Sequence, residues 1–284
     1  MPSIQVIDTI TEMQSLSQKL RRSDKRIAFV PTMGYLHEGH LSLMRLAKKK
    51  GDVTIFSSFV NPTQFAPNED LDSYPRDFDG DLKKAEDMGV DFCFAPSARA
   101  MYPPRFQTYV NVEEITRPLC GASRPTHFRG VTTVVMKLFH AVVPHVAVFG
   151  EKDYQQLQVI RRMVEDMNMD IEVASGPIVR EADGVAMSSR NAYLSPSERR
   201  QATSLIRALN TARQLFGRGE RRALKLITSA REVIEAEPDA KVDYIELRHP
   251  ESLESLESVD ERGLMALAVF VGKTRLIDNM VLEK

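Results

Sequence analysis

Two histidines in the first quarter of the chain are the clearest indication of chemistry. His37 and His40 lie in the segment Pro31–His40, which reads PTMGYLHEGH and is expected to connect a strand to a helix. Gly39 allows close backbone approach, and the helix N-terminus offers unpaired N–H groups to a phosphate. Two imidazoles that donate N–H bonds could stabilise charge on a phosphoryl oxygen. A zinc site and two surface histidines are the alternatives, although no HExxH pattern is present.

Neutral amides follow the next predicted strand. Asn61 and Gln64 lie in the string NPTQF, directly after an apolar run. Amides supply uncharged donors and acceptors, which suit a small ligand that carries hydroxyl or carboxylate groups. A plain turn is the alternative, because an Asn-Pro pair favours turns in any context.

Charged residues follow a further predicted strand, in the string GEKDYQQ that begins at Gly150. Lys152 at the N-terminus of the next helix could meet an anion such as a nucleotide phosphate. A solvated charge cluster in which Asp153 caps the helix is the commoner arrangement for such a string, and it remains open.

A fourth polar segment, Arg180–Asn191, combines an Asp-Gly turn with Ser188, Ser189 and Arg190. Hydroxyl and guanidinium groups so close together could hold a polyphosphate, and a flexible loop beside a helix cap is the alternative. Other nucleotide and hydrolase signatures are absent: the chain has no GxxxxGK[ST] loop, no GxGxxG after its first predicted strand and no GxSxG elbow. A P-loop NTPase and an α/β-hydrolase triad are therefore disfavoured.

The first half of the chain alternates between strand-like and helix-like segments, which predicts an α/β fold with a Rossmann-like parallel sheet covered by helices on both faces. We expect strands at residues 26–30, 53–60, 90–95, 145–149 and 171–174, and helices at 40–50, 78–88, 130–143 and 154–167. Ligands of such sheets bind outside the carboxyl ends of the strands. The loops after Val30, Phe59 and Phe149 are therefore the expected site.

The second half predicts a smaller α+β domain. Ser195 is a plausible N-cap, Pro196 suits the first helical position, and Glu198 lies three residues after the cap. This helix is expected to end near residue 216, followed by a helix at 221–236 and strands at 243–247, 263–271 and 276–278. The predicted domains are residues 1–176 and 177–284.

Composition narrows the class of protein. The 284 residues include 38 Lys and Arg against 39 Asp and Glu, and this balance argues against a protein whose main partner is a nucleic acid. The two cysteines, Cys93 and Cys120, form no disulfide framework, as is typical of the cytosol. The N-terminal residues lack an apolar signal-peptide core, and the apolar stretch 131–143 is too short for a bilayer. A soluble cytoplasmic protein is the expectation.

Six strings together resemble one enzyme family. They are PTMGYLHEGH, FVNPTQF, YPR, RPTHFRGV, FGEKDYQQL and READGVAMSSRNAYLS. The residues His37–His40 resemble the HxGH signature of the nucleotidyltransferase superfamily, and Met187–Arg190 resemble its second phosphate motif. In order and over essentially the whole chain, the strings resemble the pantoate–β-alanine ligase family.

The resemblance implies a reaction in two steps. ATP activates the carboxylate of (R)-pantoate as pantoyl adenylate and pyrophosphate leaves. The amine of β-alanine then attacks this mixed anhydride to give pantothenate and AMP. Activation is chemically sensible, because a bare carboxylate is a poor acyl donor.

The resemblance also implies roles for individual residues. Contacts with ATP are implied for Met33, Gly34, Tyr35, Leu36, His37, Glu38, Gly39, His40, Gly150, Glu151, Lys152, Asp153, Val179, Met187, Ser188, Ser189 and Arg190. Catalytic roles are implied for His37, His40, Lys152, Ser188, Ser189 and Arg190. Contacts with pantoate or β-alanine are implied for Asn61, Gln64, Gln156, Arg124 and His127, the last two in a mobile flap.

Mg²⁺ is implied as the partner of ATP, bound mainly through substrate oxygens. Asp81 matches a possible outer ligand, although Gly80 stands where some relatives carry a second acid. The resemblance also implies that residues 1–176 bind nucleotide and pantoate and that residues 177–284 form a lid. A homodimer formed by the N-terminal domains is implied as well.

Two other functions compete with a ligase. A nucleotidyltransferase that acts on a phosphate-bearing acceptor would need further cations, whereas the amides Asn61, Gln64 and Gln156 suit a hydroxyl and a carboxylate. A catalytically silent nucleotide- or RNA-binding module is disfavoured by the histidine pair, by Lys152 and Arg190, and by the near-neutral charge.

Overall fold

The computed structural model describes residues 4–67 and 69–284. They form two compact units. The first contains the described residues of Met1–Glu113, Arg124–Glu151 and Val159–Pro177, and the second contains Glu114–Ser123, Lys152–Gln158 and Ile178–Lys284. The domain division between residues 176 and 177 stays a prediction.

Helices and strands alternate through the first part of the chain. In chain order the elements are β1 (Gln5–Ile7), α1 (Ile10–Arg22), β2 (Ile27–Thr32), α2 (Glu38–Lys50), β3 (Val53–Ser58), α3 (Phe78–Asp87), β4 (Phe92–Phe94), α4 (Ala98–Met101), α5 (Cys120–Ser123), α6 (His127–Val142), β5 (Val146–Gly150), α7 (Tyr154–Asp166), β6 (Glu172–Gly176), α8 (Pro196–Gly217), α9 (Ala223–Glu235), β7 (Ala240–Arg248), β8 (Arg262–Val271) and β9 (Thr274–Glu283). Short 3-10 helices cover Pro62–Gln64, Glu151–Asp153 and Ser189–Tyr193.

The first unit is built on a parallel sheet. Within the described residues it has six strands in the order β1-β4-β3-β2-β5-β6, and every pairing is parallel. β2 and β3 lie in the middle and are buried along almost their whole length. The predicted α/β fold with a Rossmann-like sheet is confirmed.

Helices cover this sheet on both faces, as side-chain alternation along β2 requires. Ala28 and Val30 belong to the apolar cluster that includes Leu43, Met44 and Ala47 of α2. On the opposite face, α6 packs against β2 and α1. Because a parallel sheet must bury both faces, the central strands are continuous apolar runs. Within the described residues, no helix combines the length and apolar character needed to cross a bilayer.

The second unit contains an antiparallel sheet in the order β7-β8-β9, against which α8 and α9 pack. The predicted start of α8 is confirmed: Ser195 and Glu198 form a reciprocal capping box, and Pro196 is the first helical residue. Its apolar core lies between the helices and the sheet, where Leu209, Leu226 and Leu267 are fully buried. The predicted smaller α+β fold is confirmed.

His145 joins β5 to β2 at the amino end of the sheet. Its Nδ1 atom accepts the Ile27 N–H at 2.9 Å, and its own main-chain N–H donates to the Ile27 carbonyl at 2.9 Å. Burial lowers the pKa of His145 below its ordinary value of 6.5, and Arg21 and Arg26 act in the same direction. A protonated imidazole could not accept the Ile27 N–H.

This bond predicts a pH-dependent contribution to stability. The folded pKa of His145 lies below the unfolded value, so the stabilisation is complete above about pH 7 and is lost as the pH falls through the folded pKa. His145→Asn keeps an acceptor oxygen without a titrating ring. We expect the wild type to lose more free energy of unfolding than this variant between about pH 7.5 and pH 5, as measured by urea denaturation. Parallel pH profiles would contradict the prediction, and His140→Asn, at an exposed histidine, is the control.

Candidate active site

Residues Met33–His40 form the loop between β2 and α2, here called the histidine loop. Its first turn is tied to the neighbouring strand by Thr32, whose hydroxyl donates to the Ser57 carbonyl at 2.6 Å and accepts the Gly34 N–H at 3.1 Å. Thr32 and Ser57 lie at the carboxyl ends of β2 and β3. The loop therefore leaves the sheet at the edge where ligands of parallel sheets bind.

The carboxylate of Asp81, from the first turn of α3, supports the middle of the histidine loop. Its two oxygens accept the N–H groups of Tyr35 at 2.7 Å and Leu36 at 2.6 Å. Only 1% of Asp81 is exposed. Burial raises the pKa of Asp81, while the N–H groups of Leu36 and Tyr35 act in the opposite direction. Both carboxylate oxygens are thus engaged by the main chain.

His37 and His40 cap the N-terminus of α2. The Nδ1 atom of His37 accepts the Gly39 N–H at 3.2 Å, and the Nδ1 atom of His40 accepts the His37 N–H at 3.3 Å. The ring centroids are 4.1 Å apart. Because each Nδ1 is an acceptor, each neutral ring carries its proton on Nε2. The two rings therefore form a pair of Nε2–H donors beside the positive end of a helix dipole.

Asn61 is built into the loop after β3. Only 1% of the residue is exposed. Its Nδ2 donates to Gln64 Oε1 at 2.9 Å and to the Gly130 carbonyl at 3.1 Å, and its Oδ1 accepts the Tyr102 hydroxyl at 2.7 Å. A ligand contact with Asn61 would replace one of these bonds. Asn61 also fixes Gln64, whose Nε2 lies 3.2 Å from Met33 Sδ in the histidine loop.

Arg124 and His127 converge on the main chain at Gln64. Arg124 Nη2 donates to the Gln64 carbonyl at 3.2 Å, and His127 Nδ1 lies 2.9 Å from the same oxygen. Arg124 also forms a bidentate pair with Glu69, at 2.7 Å and 2.5 Å. Burial alone would raise the pKa of Glu69, but the Arg124 guanidinium holds it below its ordinary value. This geometry supports a role for both residues in holding Gln64 in place.

The residues predicted to contact ATP begin at the end of β5 and continue into the 3-10 helix that follows it. Gly150 ends the strand, and Glu151 accepts the Ser175 hydroxyl at 2.9 Å. In the second unit, Lys152 Nζ lies 3.6 Å from Asp153 Oδ1, and the Lys152 carbonyl accepts the Asn279 amide at 2.9 Å. Asn279 therefore fixes the backbone that carries the predicted phosphate-binding lysine.

Two adjacent glutamines of α7 differ in their surroundings. Gln156, the predicted ligand, is half-buried. Gln155 is buried, accepts the Cys120 N–H at 3.0 Å and donates to the carbonyls of Ile115 and Pro118 at 3.1 and 2.7 Å. Gln155 thus anchors the segment 115–120, a role that sequence reasoning missed.

The second predicted phosphate motif follows a hairpin in the second unit. The Met187 N–H donates to the Val179 carbonyl at 2.9 Å, and Gly184 makes the turn with φ +91°. Ser188 caps the 3-10 helix Ser189–Tyr193 by accepting the Arg190 N–H at 3.3 Å. The motif therefore has a defined main-chain geometry.

Buried charge holds this hairpin. Arg180 forms two bonds to Asp278 of β9, at 2.6 and 2.9 Å, and only 2% of Asp278 is exposed. Arg199 contacts Glu181 and Asp183. Sequence reasoning had identified neither pair, because the partners are far apart along the chain.

Close packing of α6 against the 3-10 helix Pro62–Gln64 sets the position of the amides. A Cβ atom at Gly130 would lie 2.4 Å from the Thr63 carbonyl oxygen and 2.7 Å from Gln64 Cα. These are backbone atoms, so no side chain can move aside to make room.

We therefore predict that Gly130→Ala destabilises the protein by about 1–3 kcal/mol, because the loop that carries Asn61 and Gln64 must shift. Gly217→Ala is the matched control: apart from its chain neighbours and the adjacent helix backbone, no atom lies within 4 Å of the added Cβ, and the change should stabilise by up to about 1 kcal/mol. Chemical denaturation measures both. A Gly130→Ala protein as stable as the wild type would show that the contact is loose.

Comparisons with known proteins match this chain over almost its full length. The family model described as Pantoate-beta-alanine ligase matches residues 5–281. A pantothenate synthetase of Geobacter sulfurreducens is 57% identical over 279 residues, which cover 98% of this chain and 99% of the relative. One from Geotalea daltonii is 58% identical with the same coverage.

Solved structures agree with the sequence relatives. A pantothenate synthetase from Thermus thermophilus has a TM-score of 0.94 at 42% identity and covers 99% of this chain and 100% of its own. A pantoate-beta-alanine ligase from Francisella tularensis, complexed with beta-gamma ATP and beta-alanine, has a TM-score of 0.81 at 34% identity, with coverage of 99% and 98%. The chain is therefore a ligase that belongs to the pantoate–β-alanine ligase family.

Proposed function

We propose that this protein condenses (R)-pantoate with β-alanine at the expense of ATP and does so through a pantoyl adenylate. Family membership supports the overall reaction. The observation that carries the adenylation step is the capped histidine pair, because it presents two Nε2–H donors at a helix N-terminus. The relative that was solved with beta-gamma ATP and beta-alanine supports the choice of co-substrates.

The first step joins pantoate to AMP. A carboxylate oxygen of pantoate attacks the α-phosphorus of ATP, and the bond to the bridging oxygen breaks. Pyrophosphate leaves with that electron pair. Charge grows on the phosphoryl oxygens in the transition state, and donors already in position stabilise it at little reorganisation cost.

The second step transfers the pantoyl group. The neutral amine of β-alanine attacks the carbonyl carbon of the adenylate, and the carbon–oxygen bond to AMP breaks. AMP leaves with the electron pair and the nitrogen loses a proton, which completes the amide. Adenylation makes this step possible because AMP is a far better leaving group than an oxide ion.

His37 and His40 are proposed to act on ATP through their Nε2–H donors, with Lys152 and Arg190 as fixed positive charges. Ser188 and Ser189 add hydroxyl donors to the phosphates. The remaining proposed ATP contacts are Met33, Gly34, Tyr35, Leu36, Glu38, Gly39, Gly150, Glu151, Asp153, Val179 and Met187. We favour an electrostatic role for His40 over a literal proton transfer, because stabilising phosphoryl charge requires only donors in position.

Pantoate is proposed to bind at Gln64 and Gln156, where amides suit its hydroxyl and carboxylate groups. Asn61 completes the amide set, with one of its present bonds exchanged for the ligand. The contacts of Arg124 and His127 with the Gln64 carbonyl support an indirect role, in which they set the position of Gln64 for pantoate and β-alanine.

Mg²⁺ is proposed to accompany ATP through the phosphate oxygens. Asp81 does not suit a direct metal ligand, because both of its oxygens already accept main-chain N–H groups. Among the described residues, no three His, Cys, Asp or Glu side chains are grouped so that they could hold a metal ion.

A homodimer and a cytoplasmic location are further proposals. Sedimentation tests the first, and cell fractionation tests the second.

Pyrophosphate release tests the proposed function. We expect the wild type to release pyrophosphate from ATP with pantoate alone, in a burst limited by the enzyme concentration, and to turn over when β-alanine is added. Pyrophosphate release that requires a phosphorylated acceptor would indicate a nucleotidyltransferase instead. ATP binding with no release under any condition would indicate a binding module.

His40→Ala and Lys152→Ala should each slow adenylation by about a hundred-fold or more, the scale of a lost transition-state donor. His140→Ala and Lys241→Ala remove the same residue types from exposed positions and should leave the rate unchanged. Single-turnover measurement of adenylate formation separates this step from amide formation. Near wild-type adenylation in either site variant would remove that residue from the proposed mechanism.

A further inference from the structure

The histidine loop contains a strained turn that needs external support. Gly34 has φ +80° and Tyr35 has φ +51°. Glycine adopts such angles freely, but a side chain makes them unfavourable. A non-glycine residue keeps this conformation only where its surroundings impose it.

Asp81 supplies that support at the strained position. Its oxygens receive the N–H of Tyr35 and the N–H of Leu36, which is the residue before the cap His37. A Cβ atom at Gly34 would lie 3.0 Å from Asp81 Oδ2, so the loop and the carboxylate are packed against each other. Lys84, one turn further along α3, donates to the Leu36 carbonyl at 2.9 Å. Helix α3 thus holds both the donor and the acceptor side of the Leu36 backbone.

The placement of this carboxylate favours a structural task over a ligand contact. It is almost completely buried, and its charge is offset by two short N–H bonds. Removal of one acceptor would leave an N–H group of the loop unsatisfied, and the turn would lose a contact that holds its strained conformation.

We propose that Asp81 is a positioning residue for the adenylation step: it fixes the strained turn at Gly34 and Tyr35, and thereby fixes the two imidazoles that follow it. This inference rests on the proposed function, since it assigns Asp81 to the same reaction. Asp81 acts through the main chain of the loop.

The proposed pantoate side of the site has supports of its own, although Gln64 also contacts Met33 of the histidine loop. These separate supports make the proposal testable. Asn61 and Gln64 are held by the packing of Gly130 and by Arg124 and His127. None of these contacts involves Asp81. A defect at Asp81 should therefore appear in kcat and leave pantoate binding in place.

Asp81→Asn is the first test, because it keeps the shape and replaces one acceptor oxygen with an NH₂ group. We expect kcat to fall about ten- to a hundred-fold, as misplacement of reactive groups by about 1 Å does. KM for pantoate should stay within about two-fold, the signature of an interaction made only in the transition state. Asp91→Asn is the matched control: Asp91 accepts the Thr54 N–H at 2.8 Å in the sheet, and its loss should affect stability but not kcat.

The imidazole spectrum gives a readout that does not depend on turnover. Long-range ¹H–¹⁵N spectra should show His37 and His40 of the wild type as Nε2–H tautomers at about pH 8, above the ordinary pKa of histidine. In the Asp81→Asn variant, at least one of the two imidazoles should become a mixture of the Nδ1–H and Nε2–H tautomers. The hydrogen bond that its Nδ1 atom accepts depends on the position of the histidine loop. Assignment uses the single variants His37→Gln and His40→Gln.

Lys84→Met is the second variant, for the case in which Asp81→Asn does not fold. Its side chain is 40% exposed, so the change buries no charge. We expect a loss of kcat of about five-fold, the equivalent of about 1 kcal/mol for one hydrogen bond, with KM for pantoate unchanged.

Two results would overturn the proposal. One is a folded Asp81→Asn protein with wild-type kcat and wild-type imidazole signals. The other is a rise in KM for pantoate with kcat unchanged, which would show that Asp81 supports the pantoate-binding amides and not the histidine loop. A wild type without pantoate-dependent pyrophosphate release would contradict the proposed function instead, and the imidazole spectra would still test the link between Asp81 and the histidines.

Discussion

The acceptance of two main-chain N–H groups by one buried carboxylate is the interaction on which the candidate site depends. Asp81 binds the histidine loop at Tyr35 and Leu36, where the backbone turns through a conformation that a side chain disfavours. That turn leads directly to His37, the N-cap of α2. Burial of a charged carboxylate is unfavourable unless its oxygens accept hydrogen bonds. At Asp81 the donors are main-chain N–H groups of the same strained turn that the carboxylate supports.

The parallel sheet sets the larger arrangement. β2 and β3 pair in register over their whole length, so the histidine loop and the loop that carries Asn61 and Gln64 begin side by side at Thr32 and Ser58. Each loop then has its own support: α3 holds the first through Asp81, and α6 holds the second through the close approach at Gly130. The two supports come from different helices, and Gln64 Nε2 lies 3.2 Å from Met33 Sδ where the two loops meet.

Sequence reasoning was most successful where the physical cause is local. The histidine pair, the capping box at Ser195 and the apolar strand at Val53–Ser58 each follow from a few adjacent residues. It missed α1, in which Ile10, Met13, Leu16 and Leu20 follow helical spacing although only Met13 and Ser17 are buried. It made β9 too short, because the strand continues past Asp278 through the buried polar residue Asn279. The ties of Asp81 to Leu36 and of Arg124 to Glu69 span more than forty residues each, and no local pattern encodes them.

Attack of the pantoate carboxylate on the α-phosphorus of ATP is the step that defines the proposed reaction. Pantoate labelled with ¹⁸O in its carboxylate tests this step, because the attacking oxygen stays on phosphorus when the amine displaces AMP. We expect AMP with one labelled oxygen for each pantothenate formed, and unlabelled pyrophosphate. Label in pyrophosphate or inorganic phosphate, or unlabelled AMP alongside product, would contradict it.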